Sequence, residues 1–256
     1  MNYWTEKVVL VTGASSGIGR ELSVELAKRG AILGLAARRL ELLEEIVREI
    51  ETNGGKAVAL PVDVTDAAAV RAIADSLRSE FGRIDVMIAN AGIGTASHAL
   101  KLQPDQVANV ININLLGAVN SVAAVLPEMG ERNQGQLVAI SSLSAYRGLP
   151  KSAAYCASKA GMSAFFESVR IDMRDSGVKV TIIHPGFILT PLTAGRENKM
   201  PYLMDVDVAV KKIVKAIEQQ RVSYAFPWQL ASVVRLGLIM PNFMYDWIAA
   251  RSSFRE

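Results

Sequence analysis

Short, continuous apolar runs alternate along the whole chain with longer stretches whose apolar residues recur every three or four positions. Val8–Val11, Ala31–Ala37, Ala57–Pro61, Val86–Asn90, Leu137–Ser141, Val178–His184 and Val222–Phe226 are short and rich in β-branched residues, and read as strands. The segments between them read as helices: Gly17–Arg29, Leu40–Asn53, Ala67–Phe81, Pro104–Met129, Ser152–Ser176 and Asp207–Gln220. Strands that are apolar on both faces, each followed by a helix, belong to a parallel sheet covered on both sides. The pattern therefore predicts an α/β fold, a doubly wound seven-stranded parallel sheet. No linker, repeat or low-complexity tract interrupts it, so residues 1–256 are read as a single domain. Ligands of such sheets sit beyond the carboxyl ends of the strands.

Two segments leave the alternation. The connection 187–206 contains Pro191, Gly195 and Pro201 and is long enough to serve as a substrate lid. The tail 227–256 is rich in Trp, Met, Leu and Phe and is broken by Pro227 and Pro241, which predicts two short helices. Its apolar surface suits a pocket cover, a subunit interface or contact with a membrane surface, and the sequence does not choose among them.

Composition narrows the class. Half of the 256 residues are apolar, enough for one large core. A net charge of +3 without a basic run gives no nucleic-acid footprint. The single cysteine, Cys156, allows no intrachain disulfide and no cysteine-cluster metal site, which fits a reducing compartment. No uninterrupted apolar stretch reaches the length of a membrane span, and the polar start, Met1 to Lys7, does not resemble a signal peptide. A soluble cytoplasmic protein without a metal is the expectation.

Chemistry enters with Tyr155 and Lys159, four positions apart and hence on one helical face, with Ser142 thirteen positions before the tyrosine. A phenol holds its proton to about pH 10, and bringing it near neutrality requires roughly 4 kcal/mol. One positive charge about 4 Å away supplies about that much at an effective dielectric of about 20. A single lysine can thus turn the tyrosine into a usable general acid or base.

A cofactor site is suggested independently. Thr12-Gly13-Ala14-Ser15-Ser16-Gly17-Ile18-Gly19 follows the first strand and opens the first helix. Glycines in that setting let backbone N–H groups approach a pyrophosphate, as in Rossmann-type dinucleotide sites. The end of the second strand, where NAD sites usually carry an acid, reads Ala37-Arg38-Arg39. A guanidinium can clamp a 2′-phosphate, so NADP(H) is expected over NAD, chiefly through Arg38; Arg39 equally suits solvation of the helix start.

Taken together, these residues resemble the short-chain dehydrogenase/reductase family, in its single-domain branch with Thr-Gly-x-x-x-Gly-x-Gly spacing. The resemblance runs from about Val8 to Thr190 and rests on six elements in order: the glycine loop, Asp63-Val64, Asn90-Ala91-Gly92, Asn114, Ser142 with Tyr155 and Lys159, and Pro185-Gly186 followed by Thr190. It implies that Asp63 accepts from the adenine amino group and Val64 lines the ring. It implies that Asn90, Ala91 and Gly92 turn beside the cofactor, although Ala89 replaces an asparagine often found there. By the same resemblance Tyr155 and Lys159 meet the nicotinamide ribose, Ile188 and Thr190 hold the carboxamide, and Asn114 positions a relay water. A homodimer or homotetramer through the two long helices is also a family expectation.

The activity expected is hydride transfer between a nicotinamide and a carbonyl or alcohol, with Ser142 on the substrate oxygen and Tyr155 exchanging the proton. Ser141 and Ser144 compete for the first role, and family spacing favours Ser142. His98 and His184 are read as structural, with His98 near the substrate mouth, and Cys156 as packing. The mostly apolar segments Ile93–Ser97, Leu143–Pro150 and Phe187–Met204 favour a neutral or hydrophobic carbonyl substrate. A catalytically silent NADP-binding protein of the same fold is the alternative.

Overall fold

The computed structural model describes residues 2–195 and 200–251. Among them are seven strands: β1 (Val8–Thr12), β2 (Ile32–Ala37), β3 (Lys56–Pro61), β4 (Val86–Ala89), β5 (Gly135–Ile140), β6 (Val178–Pro185) and β7 (Ser223–Phe226). They form one parallel sheet in the order β3-β2-β1-β4-β5-β6-β7. The order reverses between β1 and β4, which opens a crevice at their carboxyl ends.

Every β1 position from Val8 to Val11 is buried because both faces of the sheet are covered. Val9 and Val11 enter one core, with Leu22 and Leu26 of α1 (Gly17–Lys28), Leu43 and Ile46 of α2 (Leu40–Thr52), and Ile213. Val8 and Leu10 enter the other, with Val70 and Leu77 of α3 (Ala67–Phe81), Val122, and Phe166. Alternate side chains of one strand thus anchor the two helical layers.

The expected helix Pro104–Met129 is helical throughout but not regular. It comprises α4 (Pro104–Ile111), a π-helical turn (Asn112–Leu116) and α5 (Gly117–Glu131). A π turn holds one residue more than an α turn and is often found at functional sites. Here it carries the buried Asn114. The Pro104–Glu131 stretch is long and apolar enough to cross a membrane by length and composition alone, yet Val110, Ala118, Val125 and Met129 are buried within the protein.

α6 (Ala153–Asp172) and α7 (Val206–Glu218) complete the two layers. The tail forms the two expected short helices, α8 (Trp228–Ile239) and α9 (Asn242–Arg251). Positions 196–199 of the expected lid and 252–256 of the tail lie outside the described residues.

Candidate active site

A cavity of about 790 Å³ opens at the carboxyl ends of the strands. Its walls include Gly13 and Ser15–Ile18 after β1, Arg38 and Arg39 after β2, Asp63 and Val64 after β3, and Asn90–Gly92 after β4. Ser142, Tyr155, Lys159, Pro185, Gly186, Ile188 and Thr190 share the same space. Of the site residues expected from the sequence, only Gly19 and Asn114 stand behind the wall.

The glycine loop is built for close approach. Gly13 and Gly17 have φ of +67° and +55°, in the left-handed region that side chains disfavour. A Cβ at Gly19 would lie 2.3 Å from the carbonyl oxygen of Gly13, so the helix start can sit this close only without a side chain. Asn90 braces the loop from the neighbouring strand, its Nδ2 donating to the carbonyl oxygens of Thr12 (3.0 Å) and Gly13 (3.2 Å). The Thr12 hydroxyl accepts in return from the backbone N–H groups of Asn90 (3.1 Å) and Ala91 (3.2 Å). No side chain caps the amino end of α1 at Ser16, which leaves its first amides facing the cavity with the positive end of the helix dipole.

The two arginines divide the adenosine end. Arg38 lies 3.9 Å from Asp63 with its side chain two-thirds exposed. Arg39 reaches back over the glycine loop, Nη2 donating to Ser15 Oγ (2.9 Å) and Ser16 Oγ (3.2 Å). It therefore does more than solvate a helix start. Asp63 accepts from the backbone N–H (2.9 Å) and hydroxyl (2.8 Å) of Thr65. Those bonds first, and Arg38 in addition, hold its carboxyl below the usual carboxylate range. A neutral Ala37 with two guanidiniums beside it fits a phosphorylated ribose, and the uncapped helix fits a pyrophosphate.

At the reacting end, Lys159 is buried on α6 and its Nζ donates to the carbonyl oxygen of Ile140 at 2.7 Å. Burial lowers its pKa to about 8. A Cβ at Gly92 would lie 3.3 Å from Asn114 Oδ1 and 3.5 Å from Lys159 Nζ, so both polar ends converge on this glycine. Asn114 is committed to its neighbours: Nδ2 donates to Ser158 Oγ at 3.0 Å, and the Ser158 hydroxyl donates to the Tyr155 carbonyl oxygen at 2.8 Å. Tyr155 stands half-buried on the cavity wall.

The serines separate by geometry. Ser141 Oγ is consumed by Lys159 O (3.1 Å) and Ser163 Oγ (2.8 Å). Ser142 begins a short 3-10 turn, its hydroxyl accepts from Ser144 N–H at 3.1 Å, and it stands on the cavity wall. His184 lies beneath it, with Nδ1 3.3 Å from the Ser142 carbonyl oxygen and its ring 4.8 Å from that of Tyr146. Burial lowers the His184 pKa to about 4, against the bond to Ser142 and with the nearby charge of Arg235. The expected structural role of His184 is thus satisfaction of that carbonyl. His98, exposed, accepts from Leu100 N–H at 3.3 Å and does not line the cavity. Cys156 is buried.

A family model described as short chain dehydrogenase matches residues 7–201. The chain belongs to the short-chain dehydrogenase/reductase family. It is 42% identical over 245 residues to an uncharacterized oxidoreductase of Myxococcus xanthus, spanning 96% of this chain and 97% of that one. It is 39% identical over 187 residues to dehydrogenase/reductase SDR family member 7 of Homo sapiens, 71% of this chain and 55% of that protein. A short chain dehydrogenase/reductase from Burkholderia phymatum, solved in complex with NAD, superimposes with a TM-score of 0.86 over 98% of this chain and 97% of that one. Identity there is 22%, so the likeness concerns the fold.

The cavity of this short-chain dehydrogenase/reductase is also lined by Arg147, Leu230, Val234, Met240, Tyr245 and Ile248. Arg147 falls in the expected pocket segment Leu143–Pro150, and the others in the tail for which a pocket cover was one expected role. Sequence reasoning named the segments but not these residues, because none stands in a motif that points it at a ligand.

Proposed function

We propose that the protein is an NADP(H)-dependent oxidoreductase that interconverts a neutral or hydrophobic carbonyl compound and its alcohol. The observation that carries this reading is the single cavity that joins the glycine loop and Arg38–Arg39 to Ser142, Tyr155 and Lys159. The glycine loop and the amino end of α1 hold the pyrophosphate, Arg38 and Arg39 the 2′-phosphate, and Asp63 and Val64 the adenine. Ile188 and Thr190 hold the carboxamide end. When bound, the dinucleotide supplies or takes up the hydride.

Ser142 donates to the substrate oxygen and polarises it. Tyr155 gives its phenolic proton to that oxygen in reduction and takes it back in oxidation. Lys159, held against Ile140 O, favours the phenolate electrostatically. Asn114 fixes Ile93 and the Tyr155–Ser158 turn, and the proton relay to solvent runs past it. Reduction is the preferred direction, on the ground of the NADP(H) assignment.

The remaining assignments rest on more local support. The 187–206 connection is stapled at its base, where Leu189 N–H donates to Met204 O (2.9 Å) and Met204 N–H to Phe187 O (3.0 Å), which suits a lid. Exposed Trp228, Ile239, Phe243 and Trp247 suit a subunit contact, in a homodimer or homotetramer, or a peripheral membrane contact. Sizing and vesicle flotation of the full chain separate these two. A cytoplasmic, reducing location accords with the lone cysteine.

The test is NADPH oxidation over a panel of aldehydes and ketones. Tyr155→Phe is expected to remove nearly all turnover and leave NADPH binding largely intact; retained turnover overturns the tyrosine assignment. No turnover of any member by the native chain favours the silent NADP-binding protein. The double replacement Ala37→Asp, Arg38→Gln is expected to lower affinity for NADPH relative to NADH, and an unchanged ratio overturns the NADP assignment.

A further inference from the structure

Charged residues on the cavity wall, among the described residues, are Arg38, Arg39 and Asp63 at the adenosine end, Lys159 at the centre, and Arg147. Arg147 is thus the one fixed charge on that wall which belongs neither to the adenosine end nor to the reacting centre. It is already occupied. Nη1 donates to the carbonyl oxygens of Gly237 and Met240, the latter at 3.1 Å, and Nη2 to Asn242 Oδ1 at 2.7 Å. Its guanidinium carbon lies 3.8 Å from the centre of the Tyr245 ring, and the Tyr245 hydroxyl donates to Gly148 O at 2.6 Å.

These acceptors are the carboxyl end of α8 and the start of α9. The last carbonyls of a helix lack partners within it, and a cation there also meets the negative end of the dipole. Arg147 therefore caps α8 from a turn ninety residues upstream, just beyond Ser142. Apolar anchorage of the helical pair is thin. Only Ala231 and Gly237 of α8 and Ala249 of α9 are buried among the described residues. With so little buried beneath the pair, the polar clamp carries an unusual share of its placement.

We propose that Arg147 is a positioning residue that latches α8 and α9 as the roof of the substrate half, and that the substrate is an uncharged carbonyl compound with an extended apolar chain. Resting on the proposed oxidoreductase activity, this names its substrate class. Leu230, Val234, Met240 and Ile248 face the cavity from that roof. A substrate carboxylate or phosphate would find Arg147 committed to neutral acceptors and an aromatic face. An apolar chain finds a guanidinium whose Nη groups already have acceptors within the protein, so packing beside it strips fewer N–H groups of water.

The experiment is steady-state NADPH oxidation with straight-chain aldehydes from propanal to decanal. The native chain is expected to show KM falling with chain length. Arg147→Gln is expected to raise KM for decanal about tenfold, the loss of roughly two methylenes of contact, with kcat and the propanal constants unchanged. Asn242→Ala, outside the cavity wall, is expected to shift the decanal KM in the same direction by less. A merely structural arginine would change both aldehydes alike or act on kcat, and either result overturns the latch. Turnover without dependence on chain length overturns the substrate class and leaves the oxidoreductase reading standing. A native chain that reduces none of the aldehydes overturns the substrate class, and only failure over the whole panel of aldehydes and ketones removes the oxidoreductase reading as well.

Discussion

Asn114 and Ile93 grip each other through both ends of one amide: Ile93 N–H donates to Asn114 Oδ1 at 2.8 Å, and Asn114 Nδ2 donates to Ile93 O at 2.9 Å. The same Nδ2 also reaches Ser158 Oγ, so a single buried side chain ties the segment after β4 to the helix that carries Tyr155 and Lys159. Removing the amide while filling its volume leaves the backbone groups of the half-buried Ile93 without these partners. Asn114→Leu is expected to lower stability by about 2 kcal/mol, the cost of unmet buried polar groups, and to reduce turnover. Urea melts together with NADPH oxidation check both, and an unaltered melt would sink the clamp.

Gly19→Ala is expected to weaken NADPH binding roughly tenfold or more, since a loop displacement costing about 1.4 kcal/mol suffices. The added methyl would meet Gly13 O at 2.3 Å and Asn90 Nδ2 at 2.5 Å, so the loop and its brace must both shift. Fluorescence titration with NADPH reads the effect, and native-like affinity would show that the loop is not the phosphate cradle.

Lys159 lowers the stability of the fold in which it works. Burial brings its pKa from 10.5 to about 8, so below pH 8 the folded chain carries the full desolvation penalty of the ammonium. Lys159→Met is expected to be inactive yet more stable at pH 7, by at most about 3 kcal/mol. The unfolded chain binds more protons between pH 8 and 10.5, so native stability rises across that window and the gap to the variant narrows. Urea midpoints of both proteins at pH 7 and pH 10 measure it.

His184 acts at the other end of the scale. Its pKa falls from 6.5 to about 4 on folding, so the unfolded chain binds the extra proton first as the solution is acidified. Up to about 3 kcal/mol of stability is expected to disappear between pH 6.5 and 4. His184→Asn is expected to flatten that slope while keeping a donor near Ser142 O. Thermal melts of both proteins across the range decide it.

Much of the layout was legible because it depends on local pattern. The run Val8–Val11 is buried on both faces, and that alone distinguishes a central parallel strand from a half-exposed one. Gly13 through Gly19 carry their meaning in spacing and context. The π turn at Asn112–Leu116 was not legible, because its extra residue leaves the apolar pattern of a long helix almost unchanged. Nor was Arg147, whose partners lie ninety or more positions away and are mostly backbone carbonyls, which have no sequence signature. The matched family model ends at residue 201, so the roof of the cavity falls outside the segment that carries the family's motifs.

The wide turn at Asn112–Leu116 also constrains how this chain can change length. A π turn takes up its supernumerary residue within itself, so α5 leaves it in nearly the phase that a regular helix would have given. Deleting one residue there would let the helix run regularly with Ser121, Val122 and Val125 still facing the sheet, whereas the same deletion inside α5 would rotate the residues beyond it by about 100°. The turn is therefore the point of this long helix at which a lost codon could be absorbed by the backbone, at the expense of the placement of Asn114.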